Sequence, residues 1–304
     1  MTQDQSIDIF ELLEPLIRVL PASNPWQQPD DDGPIAYQAN FDLLEEMLAI
    51  PVAEGARTQS GRFAKTIDAW VAHELRRAGF EHDEVWPRLT APRVVPREVS
   101  IFIDKLPRRM QADARAYLLR NATVAPADAR ILGRAYEKQV DVLIAQWARG
   151  PELLVSTKSM ASSFGKNLAN RFEEAYGDAK NLRGRYPLAA MGFLFLLRST
   201  VLDEKSAFER AIDMMRKLKA ESDVYDTTCL VVAEWSGSEP TNVRVLDDAV
   251  PDDLGANTFM ASLIDAVLSR TPVDMHVEVR QRRERRVLPV REATPDASSS
   301  ERRD

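Results

Sequence analysis

Two short apolar runs, residues 140–144 and 153–157, constrain this chain more than any other stretch of it. Each has the length of a strand and a β-branched content suited to one. Arg149-Gly150-Pro151 between them is a turn signal, so the runs read as an adjacent antiparallel pair. With the turn centred near residue 150, Asp141 comes opposite roughly position 159, at the ~5 Å spacing of cross-strand neighbours. A carboxylate and the Lys158 ammonium therefore meet at one end of an otherwise apolar sheet. Such a pair serves either chemistry or a structural ion pair at a sheet edge, and these residues alone leave both open.

The segments Val140-Asp141-Val142-Leu143-Ile144 and Leu153-Leu154-Val155-Ser156-Thr157-Lys158 resemble the PD-(D/E)XK nuclease superfamily. That family has an Asp on one strand, then an acid, one spacer residue and a Lys on the next. Ser156 departs from the pattern, standing where the family has Glu, Asp or Gln. Some restriction enzymes of the superfamily have Ser-x-Lys on the strand and take the missing glutamate from the following helix, where this chain has Glu173 and Glu174. The resemblance covers about residues 66–200. It implies an α/β fold with a restriction-endonuclease-like central mixed sheet flanked by helices, to which this chain adds a helical N-terminal region. It also implies a Mg²⁺-dependent endodeoxyribonuclease that hydrolyses DNA phosphodiester bonds, as a type II restriction enzyme or a related phage-defence nuclease. Mn²⁺ is the expected substitute metal, and double-stranded DNA the expected partner, with a homodimer or tetramer left open. In that reading Asp141, the Thr157 carbonyl and Glu174 hold the metal, because Mg²⁺ takes oxygen ligands and must be held rigidly to acidify a water. Lys158 activates the attacking water and stabilises the pentavalent phosphate, while Ser156 hydrogen-bonds the site. The alternative is an inactive nuclease-fold protein that binds DNA or a protein partner, since loss of the strand acid is how such sites die.

The helix that follows fits this role. From Ser163, a candidate N-cap, apolar residues at Phe164, Leu168, Phe172 and Ala175 define a core face. At ~100° per residue, Asn167, Arg171, Glu174 and Asp178 gather along one edge of that face, and Glu173 points more nearly to solvent. Glu174 is therefore preferred over Glu173. Asn167 and Arg171 beside it are placed to orient the carboxylate or to hold a phosphate oxygen.

A net charge of −7 argues against indiscriminate polyanion binding, but local tracks of charge decide such questions. Residues 85–120 carry eight basic side chains against three acidic ones, Arg108 and Arg109 among them. Residues 156–185 carry six against three, including Lys166, Arg171, Arg183 and Arg185. These are the expected DNA contacts, although a charge run is also an ordinary solvated surface. One cysteine, Cys229, excludes an internal disulfide and a cysteine-based zinc site, which fits a reducing compartment. The three histidines are scattered. The acidic N-terminus is not a secretory signal, and no segment reaches the ~18 to 20 apolar residues of a membrane span, so a cytoplasmic protein without membrane contact is expected.

Along the chain, residues 1–60 read as a helical N-terminal region, with an amphipathic helix over 7–20, a loop over 25–33 and a second helix over 41–50 stopped by Pro51. Residues 66–80 read as a helix ended by Gly79. It resembles the helix that opens the family's core, with Asp68 as its acid, although Asp68 also reads as a first-turn charge on the helix dipole. A basic insertion at about 85–135 follows, Pro-rich over 87–107, with a candidate strand at 99–103 and a helix at 110–119. Glu137 is an alternative acid. Residues 186–197 read as a buried helix, 206–220 as an amphipathic one, 227–235 and 242–246 as strands, and 259–268 as the closing helix. The nuclease-like α/β domain thus spans 61–275. Residues 276–304 read as a disordered Arg-rich tail that either grips phosphate or serves solubility.

Overall fold

The structure is a computed structural model that describes residues 7–19, 23–28, 33–235 and 242–285. In chain order its elements are α1 (Ile9–Val19), β1 (Trp26–Gln27), β2 (Ala36–Tyr37), α2 (Phe41–Ala53), α3 (Arg62–Arg77), β3 (Val85–Trp86), α4 (Arg97–Lys105), α5 (Arg108–Leu119), β4 (Ala129–Leu132), β5 (Glu137–Val140), β6 (Val142–Gln146), β7 (Gly150–Met160), α6 (Phe164–Arg183), β8 (Ala190–Arg198), α7 (Lys205–Ala220), β9 (Thr227–Glu234), β10 (Arg244–Val245), α8 (Ala256–Arg270) and α9 (Val277–Arg283). The fold is mixed α/β. Its main sheet has six strands in the order β10-β9-β8-β7-β6-β3. The central three are parallel, and both edges are antiparallel.

Alternate residues of the central strands feed two cores, as the pleat requires. Leu153 and Val155 of β7 pack with α1, α2, α3 and α8 on one face. Leu154 and Met160 pack with α6 and α7 on the other. Helices α1 and α2 thus share a core with α3 and the sheet. The α4–α5 hairpin has a small core of its own, formed by Val95, Ile103, Leu118 and Ala125. Among the described residues no helix is long and apolar enough to cross a membrane.

The pairing of β6 with β7 is as expected, but its register is not. The turn lies at residues 147–149, and Gly150, with φ of 69°, already opens β7. Val142 pairs with Val155, and a register shift follows Ile144. Continued by one residue, this pairing sets Asp141 beside Ser156 rather than near 159. Residues 186–197, expected as a buried helix, instead supply β8, the strand between β7 and β9. A strand covered on both faces is apolar throughout, and periodicity does not distinguish it from a buried helix.

Three further expectations are corrected. Residues 99–103 lie in α4 rather than a strand, with Ser100 and Ile103 as its buried face. Pro51 lies inside α2, which runs on to Ala53. In the 25–33 loop, Trp26–Gln27 pairs with Ala36–Tyr37.

The expected tail begins later than residue 276, because Val277–Arg283 is a helix with Val279 buried. Its arginines are used internally. Arg280 donates to the carbonyls of Leu268 (2.8 Å) and Thr271 (3.0 Å), and Arg282 donates to that of Arg77 (2.6 Å). Residues 286–304 lie outside the described residues. At the start of α9, the His276 side chain is 3% exposed and sits 3.4 Å from Glu152 and 3.6 Å from Glu84, with Arg149 3.3 Å away. Burial alone would lower the imidazole pKa, but hydrogen bonds and charge from Glu152 and Glu84 outweigh it and raise the value.

Two predictions follow from this packing. A Cβ on Gly192 of β8 would stand 2.8 Å from the Phe259 ring and 3.2 Å from Leu263 of α8, so Gly192→Ala is expected to cost about 1–3 kcal/mol by overpacking, measured by urea unfolding. A raised histidine pKa stabilises the fold fully below the unfolded value of about 6.5, and that contribution fades as pH rises through the folded value. The stability gap between the parent and His276→Gln should therefore be larger at about pH 6 than at about pH 9.

Candidate active site

The site forms where the β6–β7 pair ends against α3. Thr157 on β7 is its hub. Its backbone N–H donates to Asp141 Oδ2 at 2.8 Å, and its hydroxyl donates to Asp68 Oδ1. Asp141 is the single residue between β5 and β6, where the chain passes from a two-stranded ribbon into the main sheet. Asp68 lies on the second turn of α3 and is 7% exposed. The helix begins at Arg62, four residues earlier than expected, so Asp68 is not a first-turn charge on the helix dipole.

Burial raises the pKa of both carboxyls. Asp68 is pushed well up, first by burial and then by the charge of Asp141, with the Thr157 hydroxyl, Lys65 and Lys158 opposing. Asp141 is also raised by burial, against the Thr157 N–H, Lys158 and Lys138. A desolvated pair of like charges is costly in the absence of a cation.

Lys158, next along β7, does not pair with Asp141. Its Nζ bonds Glu174 Oε1 of α6 at 2.9 Å, and Arg171 takes the other Glu174 oxygen at 2.9 Å. Burial would raise the Glu174 carboxyl, but these two cations hold it below its ordinary value. On α6, Glu173 is exposed and Glu174 half-buried, as the helical periodicity implies. Both oxygens of Glu174, the expected partner of Asp141 in metal ligation, are bonded to cations.

One turn on, Asp178 is buried and held by Lys138 at 2.5 Å and by the Tyr136 hydroxyl at 3.3 Å. Ser156 is buried beside Tyr225, whose hydroxyl donates to the Ala175 carbonyl at 3.0 Å. Burial pushes the Tyr225 phenol up, and the Ser156 hydroxyl acts against that rise. Ser163 occupies the N-cap position of α6 with φ of 59° and makes no side-chain cap. Glu137 is exposed at the start of β5, paired with Leu132.

Asp68 and Asp141 share the wall of a cavity of about 140 Å³ with Lys65, Asp128 and Gln139, closed by Phe10, Pro87 and Val94. Among the described residues no three His, Cys, Asp or Glu side chains gather closely enough to hold a metal ion. Mg²⁺ is usually held by only one or two carboxylates, with waters and substrate phosphates completing its octahedron. Two buried carboxylates with raised pKa facing one cavity fit that chemistry.

The expected DNA contacts separate into two groups. Lys166, Arg171, Arg185, Arg108 and Arg109 are exposed, and Asn167 is half-exposed, bonding the Ser163 carbonyl at 3.3 Å. Arg183 is buried instead. It donates to the carbonyl of Ala189 (2.7 Å) and to Asp226 (2.8 Å), tying α6 to the starts of β8 and β9, and this removes it from any surface role.

Lys65, Lys138, Tyr136 and Tyr225 were not legible as site residues. Lys65 carried the one usable signal, lying one helical turn before Asp68. Comparison with protein-family models, with curated proteins and with solved structures finds no match for this chain.

The buried pair generates a test of its own. A carboxyl whose folded pKa is raised destabilises the fold increasingly as pH rises from its unfolded value of about 3.9. Asp68→Asn removes that penalty and keeps an oxygen for the Thr157 hydroxyl. Without divalent cations the variant should melt at or above the parental temperature. Added Mg²⁺ or Ca²⁺ should raise the melting temperature of the parent and leave the variant unmoved.

Proposed function

We propose that the chain is a divalent-metal-dependent endodeoxyribonuclease with a restriction-endonuclease-like core, of the type II restriction or phage-defence kind. The carrying observation is the convergence on Thr157 of two buried carboxylates, Asp68 and Asp141, next to the Lys158–Glu174 pair. In this reading Asp68 and Asp141 hold Mg²⁺ or Mn²⁺, with the Thr157 carbonyl as a candidate third ligand. The bound ion supplies Lewis acidity and lowers the pKa of a water.

The chain's own residues do the rest. Thr157 holds both carboxylates in place through its N–H and hydroxyl. Lys158 orients the attacking water and offsets charge on the pentavalent phosphate. Glu174 fixes the lysine's position, which is the role its acid takes here in place of direct ligation. Arg171 has only one of its terminal nitrogens bonded to Glu174 and reaches the surface toward a phosphate. Helices α4 and α5, with Arg108 and Arg109 exposed, grow out of the cavity wall between Val94 and Ala127 and serve DNA contact.

A second reading has its own support. Glu174 is neutralised by two cations and the strand acid is a serine, which suits a nuclease-fold protein that binds DNA without cutting it. Incubation with unmethylated plasmid or phage DNA separates the two: the proposed enzyme cleaves with Mg²⁺ and not with EDTA, and the binding protein retains DNA in both. In the cleavage assay Lys158→Ala and Asp141→Ala should each lose roughly a hundredfold or more, with melting unchanged for Lys158→Ala. Glu173→Ala should cut at the parental rate and Glu174→Ala should not. Parental cleavage by Lys158→Ala sinks the assignment.

A further inference from the structure

Among the described residues, the lysines around the candidate site differ in one respect. Lys158 is bonded to Glu174 and Lys138 to Asp178. Lys65, one turn before Asp68 on α3, lines the cavity that both inner carboxylates face, yet makes no ion pair or side-chain hydrogen bond with any described residue. It is half-exposed, so its ammonium is within reach of a ligand entering the cavity, and its charge acts on Asp68 only through space.

An ammonium with three donors and no partner is a ready point-charge site for a phosphate oxygen. The other charged residues on the cavity wall, Asp68, Asp128 and Asp141, are all acidic. A polyanionic strand enters such a cavity only where cations offset its charge. A lysine already bonded to a carboxylate offers less of that than an unbonded one. We infer that Lys65 is a substrate-binding residue that takes a backbone phosphate of the DNA strand lying across the cavity. This rests on the nuclease reading and adds to it a contact on α3, an element separate from the β7 strand that carries Lys158.

The test uses the full chain, duplex DNA and saturating Ca²⁺ for binding or Mg²⁺ for cleavage, comparing the parent with Lys65→Met and Lys65→Arg. Removing one hydrogen bond to a charged group should weaken binding and raise KM roughly 10- to 100-fold, and the arginine should restore most of the loss. The slope of log affinity against log salt should fall by about one counterion in Lys65→Met, a readout that a purely structural role does not move. A folded Lys65→Met protein with parental KM and salt slope overturns this inference alone. So does a variant that changes only the Mg²⁺ concentration required, which would make the lysine a neutraliser of Asp68. A parental protein that neither binds nor cuts DNA overturns the reading beneath it, and the inference with it.

Discussion

Thr157 is the point on which the arrangement depends. One residue gives its backbone N–H to Asp141 and its hydroxyl to Asp68, and these carboxylates come from parts of the chain far apart in sequence. The N–H is free for this because Asp141 stands just before β6 begins, so a side-chain oxygen takes the place of the next carbonyl of the ladder. The hydroxyl points to the other side of the same strand, toward α3, whose inner face is packed on Val155 and Leu153. A threonine does both because its branched Cβ suits the strand while its oxygen still donates. Replacing it by valine would keep the shape and leave Asp68 buried without its donor.

The same geometry sets two needs against each other. Apolar packing of α3 brings Asp68 to the sheet, and the register of β6 brings Asp141 to the same residue, so hydrophobic burial makes up for the repulsion and desolvation of the two carboxylates. Their raised pKa values record that cost. Sites of this kind are tolerated where the strain serves a ligand. Away from the site the buried charges are paired, as with Glu74 and Arg77 at 2.6 Å or Arg183 and Asp226 at 2.8 Å.

The sequence was informative where one face of an element is buried and the other is not. The periodicity of α1, α3, α6, α7 and α8 and the apolar runs of β6, β7 and β9 were legible because period and length agree with the packing. β8 was not, since burial on both faces erases its alternation. The register of β6 against β7 was also missed, because the turn ends at Gly150 and Glu152 is left over by the register shift that follows Ile144. The excess residue is used: Glu152 turns toward His276 and Arg149, so a local irregularity at one end of the hairpin anchors the C-terminal helix. At the site, Asp141, Lys158, Glu174 and Asp68 were readable as chemistry-bearing residues on their elements. Which pairs with which was not, because Lys158 can reach either Asp141 or Glu174 and only the three-dimensional distances decide. Arg183 shows the opposite error, a basic residue in a basic stretch that the fold consumes internally.

Ser156 becomes intelligible in this light. It lies on the same side of β7 as Leu154 and Lys158, under α6, where Tyr225, Glu174 and Asp178 already converge. Each of the two helix acids is bonded to a lysine, Glu174 to Lys158 and Asp178 to Lys138. Among the described residues, the inner acids, Asp68 and Asp141, are bonded only to Thr157. Of these four acids, Asp68 and Asp141 are the pair without a bonded cation among the described residues, a pair that two positive charges on a single ion would balance. A glutamate at 156 would add a third such charge on the buried face, with no further lysine bonded to offset it. A small hydroxyl avoids this, and α6 supplies an acid that orders Lys158 without adding to the inner charge. In the proposed nuclease the carboxylate has therefore moved in function as well as in sequence, from holding the ion to holding the lysine beside it.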